Sequence, residues 1–143
     1  MPILRKTLLL LVAVASTTLA AGVQPAYRIV VNPANPAAGL PRAEVARMFL
    51  KKVVAWPDGL PVTVIDLERS SAVRQAFSRD VHQRDAEAIA AHWQTAVFSG
   101  RDVPPPIART DAEVLAFVRA NPGALGYVSA TAELAGVKAL TLR

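Results

Sequence analysis

Residues 70–74, Ser-Ser-Ala-Val-Arg, bring together the side chains of this chain that are best suited to holding a ligand. They come where an apolar, strand-like run ends and a helix-like run begins. Two hydroxyls, free backbone N–H groups and a guanidinium would therefore meet at one point. Such groups hold an oxyanion such as phosphate without reacting with it. We expect Ser70, Ser71 and Arg74 to bind an anion.

The charges around this turn favour the same interpretation. The first turn of a helix usually carries Asp or Glu, because the helix dipole is positive there. Here Arg69 and Arg74 flank the turn and only Glu68 opposes them, so a bound anion would relieve the excess positive charge. The alternative is structural: an ordinary serine N-cap with solvated arginines. The sequence leaves both interpretations open.

Two residues elsewhere are further candidates for contact with the anion. Asn32 ends the first predicted strand, at the edge where open α/β sheets collect ligands, although asparagine is also a common turn residue. Arg101 follows Phe98-Ser99-Gly100 in a proline-rich loop. It is either a second anion contact or a solvated loop residue.

Catalysis and metal binding are poorly supported by the sequence. His82 and His92 are the only histidines, they lie ten residues apart, and the chain has no cysteine. No glycine-rich nucleotide loop is present. Ser71, His92 and Asp66 could form a hydrolase triad, but no G-x-S-x-G turn supports it. We expect no enzyme activity, no metal and no cofactor.

The N-terminus has the three parts of a secretory signal peptide. The basic pair Arg5 and Lys6 precedes the apolar run 7–15, and small residues follow up to Ala20. We expect residues 1–20 to be removed and the protein to be periplasmic or secreted. The apolar run is shorter than the ~20 residues that a membrane span needs, so we expect no membrane-spanning segment after processing. Without cysteine, no lipid can be attached at the cleavage site.

The remaining residues, 21–143, fit one domain. Of the 16 basic residues two lie in the signal, so the rest exceed the 11 acidic residues by only a small margin. They are dispersed, with no aromatic residues interleaved, which argues against nucleic-acid binding.

Predicted strands alternate with predicted helices along this domain. Apolar or β-branched runs indicate strands at 27–31, 62–65, 124–128 and 137–142. Helices are indicated from Pro41, Ser71, Asp85 and Thr110 onward. This order predicts an α/β fold with a mainly parallel sheet flanked by helices.

Six short motifs occur along the chain, and their order can be compared with that in known families. They are N-P-A-N-P at 32–36, F-L-K-K at 49–52, W-P-D-G at 56–59, S-S at 70–71, F-S-G-R at 98–101 and N-P-G-A-L-G-Y-V at 121–128. Together they resemble the substrate-binding proteins of phosphate ABC transporters, in the type II periplasmic-binding-protein-like superfamily. The chain most resembles their short single-lobe members.

The resemblance implies one lobe of the type II binding-protein fold. In full-length relatives a Ser-Gly-Thr-type turn at a helix start, with an arginine nearby, grips phosphate. By matching, Ser70, Ser71 and Arg74 inherit this role, with Arg69 as a weaker candidate. The Gly and Thr of that turn are missing here, and the chain is about half as long as a two-lobe protein.

The sequence thus predicts an exported, solute-binding-like protein that holds phosphate or a phosphorylated small molecule and is linked to an ABC permease. Two-lobe receptors close around their ligand, and a homodimer would restore the missing half of the cleft. The alternative is a periplasmic interaction or adaptor module that has lost small-molecule binding and contacts another envelope protein.

Overall fold

A computed structural model of the chain describes residues 26–143. The predicted signal peptide, 1–20, lies outside the described residues. Seven strands are present: β1 (Tyr27–Val31), β2 (Gly39–Leu40), β3 (Thr63–Val64), β4 (Asp66–Leu67), β5 (Ile107–Ala108), β6 (Ala124–Ser129) and β7 (Lys138–Leu142). The helices are α1 (Arg42–Phe49), α2 (Ala72–Phe77), which continues as a π-helical turn over Ser78–His82, α3 (Ala86–Phe98) and α4 (Asp111–Ala120). The predicted α/β class is confirmed.

The main sheet has the strand order β2-β7-β1-β6-β3. Its central strand, β1, runs antiparallel to both neighbours, with Tyr27 opposite Ser129 and Val31 opposite Leu125. The outer ladders, β2–β7 and β3–β6, are parallel. The sheet is therefore mixed rather than mainly parallel. The alternation of strands and helices does not reveal that the first strand inserts between the last two.

Helices cover both faces of this sheet. On one face α4 packs Val114 and Val118 over β6, so closely that a Cβ on Gly126 would lie 2.8 Å from Val114 Cγ1. The next residue, Tyr127, points to the other face, because side chains alternate along a strand. There its ring stacks on Phe77 of α2 at a centroid distance of 3.8 Å and an interplanar angle of 5°.

The helix starts follow local rules that the sequence shows directly. Ser71 caps α2, Asp85 caps α3, and Thr110 caps α4 by accepting from the Glu113 N–H. At α4 the Glu113 carboxylate in turn accepts from the Arg109 N–H at 2.7 Å, which completes a capping box. Between residues 26 and 143 no helix is both long and apolar enough to cross a bilayer.

A second, two-stranded sheet pairs β4 with β5 in parallel, with Asp66 opposite Ile107. Strand β4 follows β3 after one residue and leads through the turn 68–71 into α2. The small sheet thus brings the residues before α2 next to the loop that follows α3.

Candidate functional site

The turn before α2 has the local structure of a capped helix start. The Arg74 N–H donates to Ser71 Oγ at 3.3 Å, so Ser71 fulfils the structural alternative that the sequence left open. A serine that accepts a hydrogen bond still keeps its own O–H proton for another acceptor. The amides of Ala72 and Val73 have no acceptor among residues 26–143. This turn therefore has donors to offer.

The guanidinium of Arg74 does not hydrogen-bond to the two serine hydroxyls. It is 5% exposed and reaches back to β4, where Nη1 lies 3.1 Å from Asp66 Oδ2 and donates to Leu67 O at 2.5 Å. Both contacts use Nη1, and within residues 26–143 no hydrogen bond runs from Nε or Nη2 of this side chain. Arg74 is thus held in one orientation with one edge uncommitted.

Asp66 links this arginine to the main sheet. Its Oδ1 accepts from the Tyr127 hydroxyl and, at 2.9 Å, from the Leu67 N–H. Burial raises the pKa of Asp66, against the opposing effects of the Arg74 charge and the Tyr127 hydrogen bond. Burial, together with the Asp66 carboxylate, also raises the pKa of Tyr127. Arg74, Asp66 and Tyr127 form a buried polar chain that fixes the guanidinium.

A cavity of about 420 Å³ opens beside this chain. Its charged residues all belong to the segment around β4 and α2: Asp66, Glu68, Arg69 and Arg74. Its apolar residues come from α3, from the loop before β5 and from β5 itself, and include Trp93, Val97, Phe98, Pro104, Pro105 and Ile107. Volumes of this size are typical of small-molecule sites. The cavity is charged on one part of its wall and, apart from Gln94, apolar on the rest.

The structure brings two of the predicted anion-binding residues to this cavity, Arg69 and Arg74. Arg69 is exposed, and its Nη1 lies 3.4 Å from Glu87 Oε2. Such surface pairs contribute little, so this side chain can turn towards a ligand. Ser70 and Ser71 lie on the adjoining turn and do not line the cavity.

The other two predicted residues lie elsewhere. Asn32 is buried, and its Nδ2 donates to Val118 O and Arg119 O at 3.0 and 3.1 Å, which closes the last turn of α4. Because β1 runs antiparallel to β6, its end lies at the start of β6, away from the turn before α2. Arg101 donates from Nε to Ser99 Oγ at 2.9 Å and lies beside a separate depression after α3.

Sequence analysis missed the apolar wall and the carboxylate partner of Arg74. Trp93 and Ala96 of α3 are buried, but Val97 is 51% exposed and Phe98 is 93% exposed. The available signal was three consecutive apolar residues, 96–98, which is more than one buried stripe of a helix requires.

The two histidines lie in different surroundings, His82 among aromatic rings and His92 beside Trp93. Within the described part of the chain, no group of three or more His, Asp or Glu side chains could hold a metal ion. His82 lies edge-on to Phe49 and Phe77, with Nδ1 unpartnered. Burial, followed by the nearby Arg74 and Arg84 charges, lowers the pKa of His82 to about 4.

Comparison with known proteins gives a fold but no sequence family. No protein-family model and no curated protein matches the sequence. Among solved structures, an ABC-type phosphate transport receptor from Vibrio cholerae is 20% identical with a TM-score of 0.65, over 82% of this chain and 46% of the receptor. A Clostridium perfringens protein assigned as a phosphate ABC transporter substrate-binding protein, with bound phosphate, is 20% identical with a TM-score of 0.64, over 82% and 44%.

A third similar structure, PstS from Borrelia burgdorferi, is 12% identical with a TM-score of 0.56, over 82% of this chain and 47% of PstS. The chain spans less than half the length of each of these three proteins. The expected resemblance is confirmed at the level of the fold: residues 26–143 have the α/β architecture of one lobe of such binding proteins.

Proposed function

We propose that the chain is an exported, solute-binding-like lobe that holds an oxyanion, either phosphate or a phosphorylated small molecule, and does no chemistry on it. The observation that carries the proposal is the guanidinium of Arg74. It is buried, oriented by Asp66 and Leu67 O, and lies in the wall of a cavity. Two proteins with the same fold are described as an ABC-type phosphate transport receptor and as a phosphate ABC transporter substrate-binding protein with bound phosphate.

A fixed guanidinium suits this role for two reasons. Its planar N–H edges match the oxygens of a phosphate group two at a time. Because the Nη1 contacts already immobilise the Arg74 side chain, binding costs little additional side-chain entropy. Arg69, which lines the same cavity, supplies a second, mobile cation.

The charge of the cavity wall is balanced, with two guanidiniums facing the carboxylates of Asp66 and Glu68. Asp66 is occupied by Arg74, Tyr127 and the Leu67 amide, whereas Glu68 is exposed and solvated. Affinity for an anion must therefore come from the position of the N–H groups more than from net attraction. We expect modest affinity and strong dependence on the geometry of Arg74.

Ser70 and Ser71 belong to the proposal as the neighbouring donors. The Ser71 hydroxyl proton and the amides of Ala72 and Val73 adjoin the segment that carries Arg69 and Arg74. The proposal also includes removal of residues 1–20, a mature domain of residues 21–143 in the periplasm or outside the cell, and an ABC permease as the partner.

Isothermal titration calorimetry with phosphate and sulfate tests the proposal. Arg74→Lys keeps the positive charge beside Asp66 but loses the planar edge, so we expect at least a tenfold loss of affinity, about 1.4 kcal/mol. Arg101→Gln is the matched control and should bind as the wild type does. Absence of heat from the wild-type protein with either anion would contradict the proposal, and equal affinities of wild type and Arg74→Lys would remove Arg74 from the site.

An adaptor module without a small-molecule ligand is the second candidate, and the exposure of Phe98 favours it. A phenylalanine that is 93% exposed beside other apolar residues is typical of a surface that meets a partner. In that case the melting temperature should not change with phosphate. A ligand at a hundred times its Kd would add ~2.7 kcal/mol to the free energy of unfolding, which melting would show.

Two measurements identify the partner of such a module. Sedimentation of the protein would show whether the partner is a second copy of this chain. A pull-down from envelope extract would recover any other protein.

A further inference from the structure

We infer that the ligand of this cavity is an oxyanion that carries an apolar group, such as an aryl or alkyl phosphate monoester, and is not free phosphate. This inference rests on the proposed function and adds the class of ligand. Three observations support it: the size of the cavity, the separation of its charged and apolar residues, and the rigidity of its apolar wall.

The cavity is too large for inorganic phosphate alone. Its volume is about 420 Å³, whereas a water molecule occupies ~30 Å³ in the liquid and a phosphate ion has five heavy atoms. Phosphate held at Arg74 would leave most of the space next to apolar side chains. Water in that space would find few hydrogen-bond partners there, so an apolar group of the ligand would displace it favourably.

The charged and apolar residues of the cavity come from different parts of the chain. All four charged residues lie within 66–74, and the apolar ones lie within 90–107. Phe98 and Val97 at the end of α3 are 93% and 51% exposed, and Ile107 across the cavity is 52% exposed. Their exposed surface is what an apolar substituent would cover. A ligand with an anionic end and an apolar end matches this division.

Several contacts hold the loop and the tryptophan of the apolar wall in place. Lys51 donates from Nζ to Val103 O at 2.8 Å and lies 5.8 Å from the centre of the Trp93 ring. The Asp66 N–H donates to Pro106 O at 2.9 Å. Consecutive prolines at 104–106 keep the loop extended. These contacts fix the loop 103–106 and the Trp93 ring, so this part of the groove is formed before the ligand arrives, which favours binding of a rigid group such as a phenyl ring.

Calorimetry with three probes, inorganic phosphate, phenyl phosphate and phenol, tests the inference. We expect phenyl phosphate to bind the wild-type protein at least tenfold more tightly than phosphate, and phenol to bind more weakly than phenyl phosphate. Phe98→Ala should remove most of the advantage of phenyl phosphate and leave the affinity for inorganic phosphate unchanged. Val54→Ala, which alters an exposed valine outside this cavity, should change neither affinity.

The outcomes separate this inference from the proposed function. Equal affinities for phosphate and phenyl phosphate would overturn the inference and leave the anion site intact. Loss of affinity for both anions in Phe98→Ala would also overturn it, since Phe98 is assigned to the apolar group alone. Phenol binding as tightly as phenyl phosphate, or no binding of any probe, would overturn the proposed function and the inference with it.

Discussion

Two aromatic regions lie on either side of the Arg74–Asp66 pair, and they differ in exposure. In the first, which we call the sealed cluster, Tyr27, Phe49, Phe77 and Tyr127 pack with ring centroids 3.8 to 6.4 Å apart. In the second, the cavity wall, Phe98 is almost fully exposed. The sealed cluster stabilises the fold, and the cavity wall leaves similar apolar surface uncovered.

The polar chain connects the two regions. Tyr127 belongs to the sealed cluster and donates to Asp66, and Asp66 holds Arg74, which lines the cavity. The position of the guanidinium therefore depends on the packing of the core. The packed core thus fixes the guanidinium to which we assign anion binding in the neighbouring cavity.

We expect the largest difference in stability between substitutions of the two phenylalanines, Phe77 and Phe98. Phe77→Ala removes a ring that is 1% exposed and should lower the free energy of unfolding by ~3–5 kcal/mol. Phe98→Ala should change it by no more than ~0.5 kcal/mol. Urea unfolding followed by circular dichroism measures both. Similar losses for the two variants would show that the cavity wall is part of the core.

Breaking the buried pair of Arg74 and Asp66 should give the next largest loss of stability. Arg74→Met leaves the Asp66 carboxylate buried without its cation and should cost ~3–5 kcal/mol of unfolding free energy. Asp66→Asn combined with Arg74→Met removes both charges, so the double variant should be more stable than Arg74→Met alone. A loss below ~1 kcal/mol for Arg74→Met would place the pair in solvent.

His82 packs edge-on against Phe49 and Phe77 of the sealed cluster. We expect it to make the stability of the protein depend on pH. Its pKa is lowered from 6.5 to about 4, so the unfolded chain takes up a proton at a higher pH than the folded protein does. The contribution of His82 to stability is fully present above pH 6.5 and is lost as the pH falls towards 4, by up to about 3 kcal/mol.

Unfolding curves at pH 7 and pH 4.5 measure this loss. His82→Leu should reduce the difference in unfolding free energy between the two pH values, whereas His92→Leu should reduce it less, because the His92 side chain is less buried than that of His82. An unchanged difference in His82→Leu would assign the pH dependence to other groups.

The smallest effect is expected at the exposed pair of Arg69 and Glu87, whose side chains are 55% and 65% exposed. Glu87→Gln should change the free energy of unfolding by less than ~1 kcal/mol. Because the substitution releases Arg69, it should leave anion affinity equal or slightly higher. A clear loss of affinity would show that Glu87 positions Arg69 for the ligand.

Sequence reasoning was most successful where structure is set by neighbouring residues. The caps at Ser71, Asp85 and Thr110 involve donors three residues away, so the pattern in the chain contains the interaction. The α/β class followed from the alternation of strands and helices for the same reason.

Prediction from the sequence was least successful where residues that lie far apart along the chain come into contact. The antiparallel pairing of β1 with β6 joins residues about a hundred positions apart, and it places Asn32 at α4 instead of at the predicted site. The pairing of Arg74 with Asp66 depends on how the turn 68–71 folds back on β4. The exposure of Phe98 depends on the absence of a covering element, which a helix pattern cannot show.

The central claim, that Arg74 holds the oxyanion, can be tested by observing arginine side chains directly. In ¹⁵N–¹H NMR spectra of the protein titrated with inorganic phosphate, we expect the Nε–H signal of Arg74 to move and to saturate, while the signal of Arg101 stays in place. A stationary Arg74 signal at phosphate concentrations that shift Arg101 would contradict the claim.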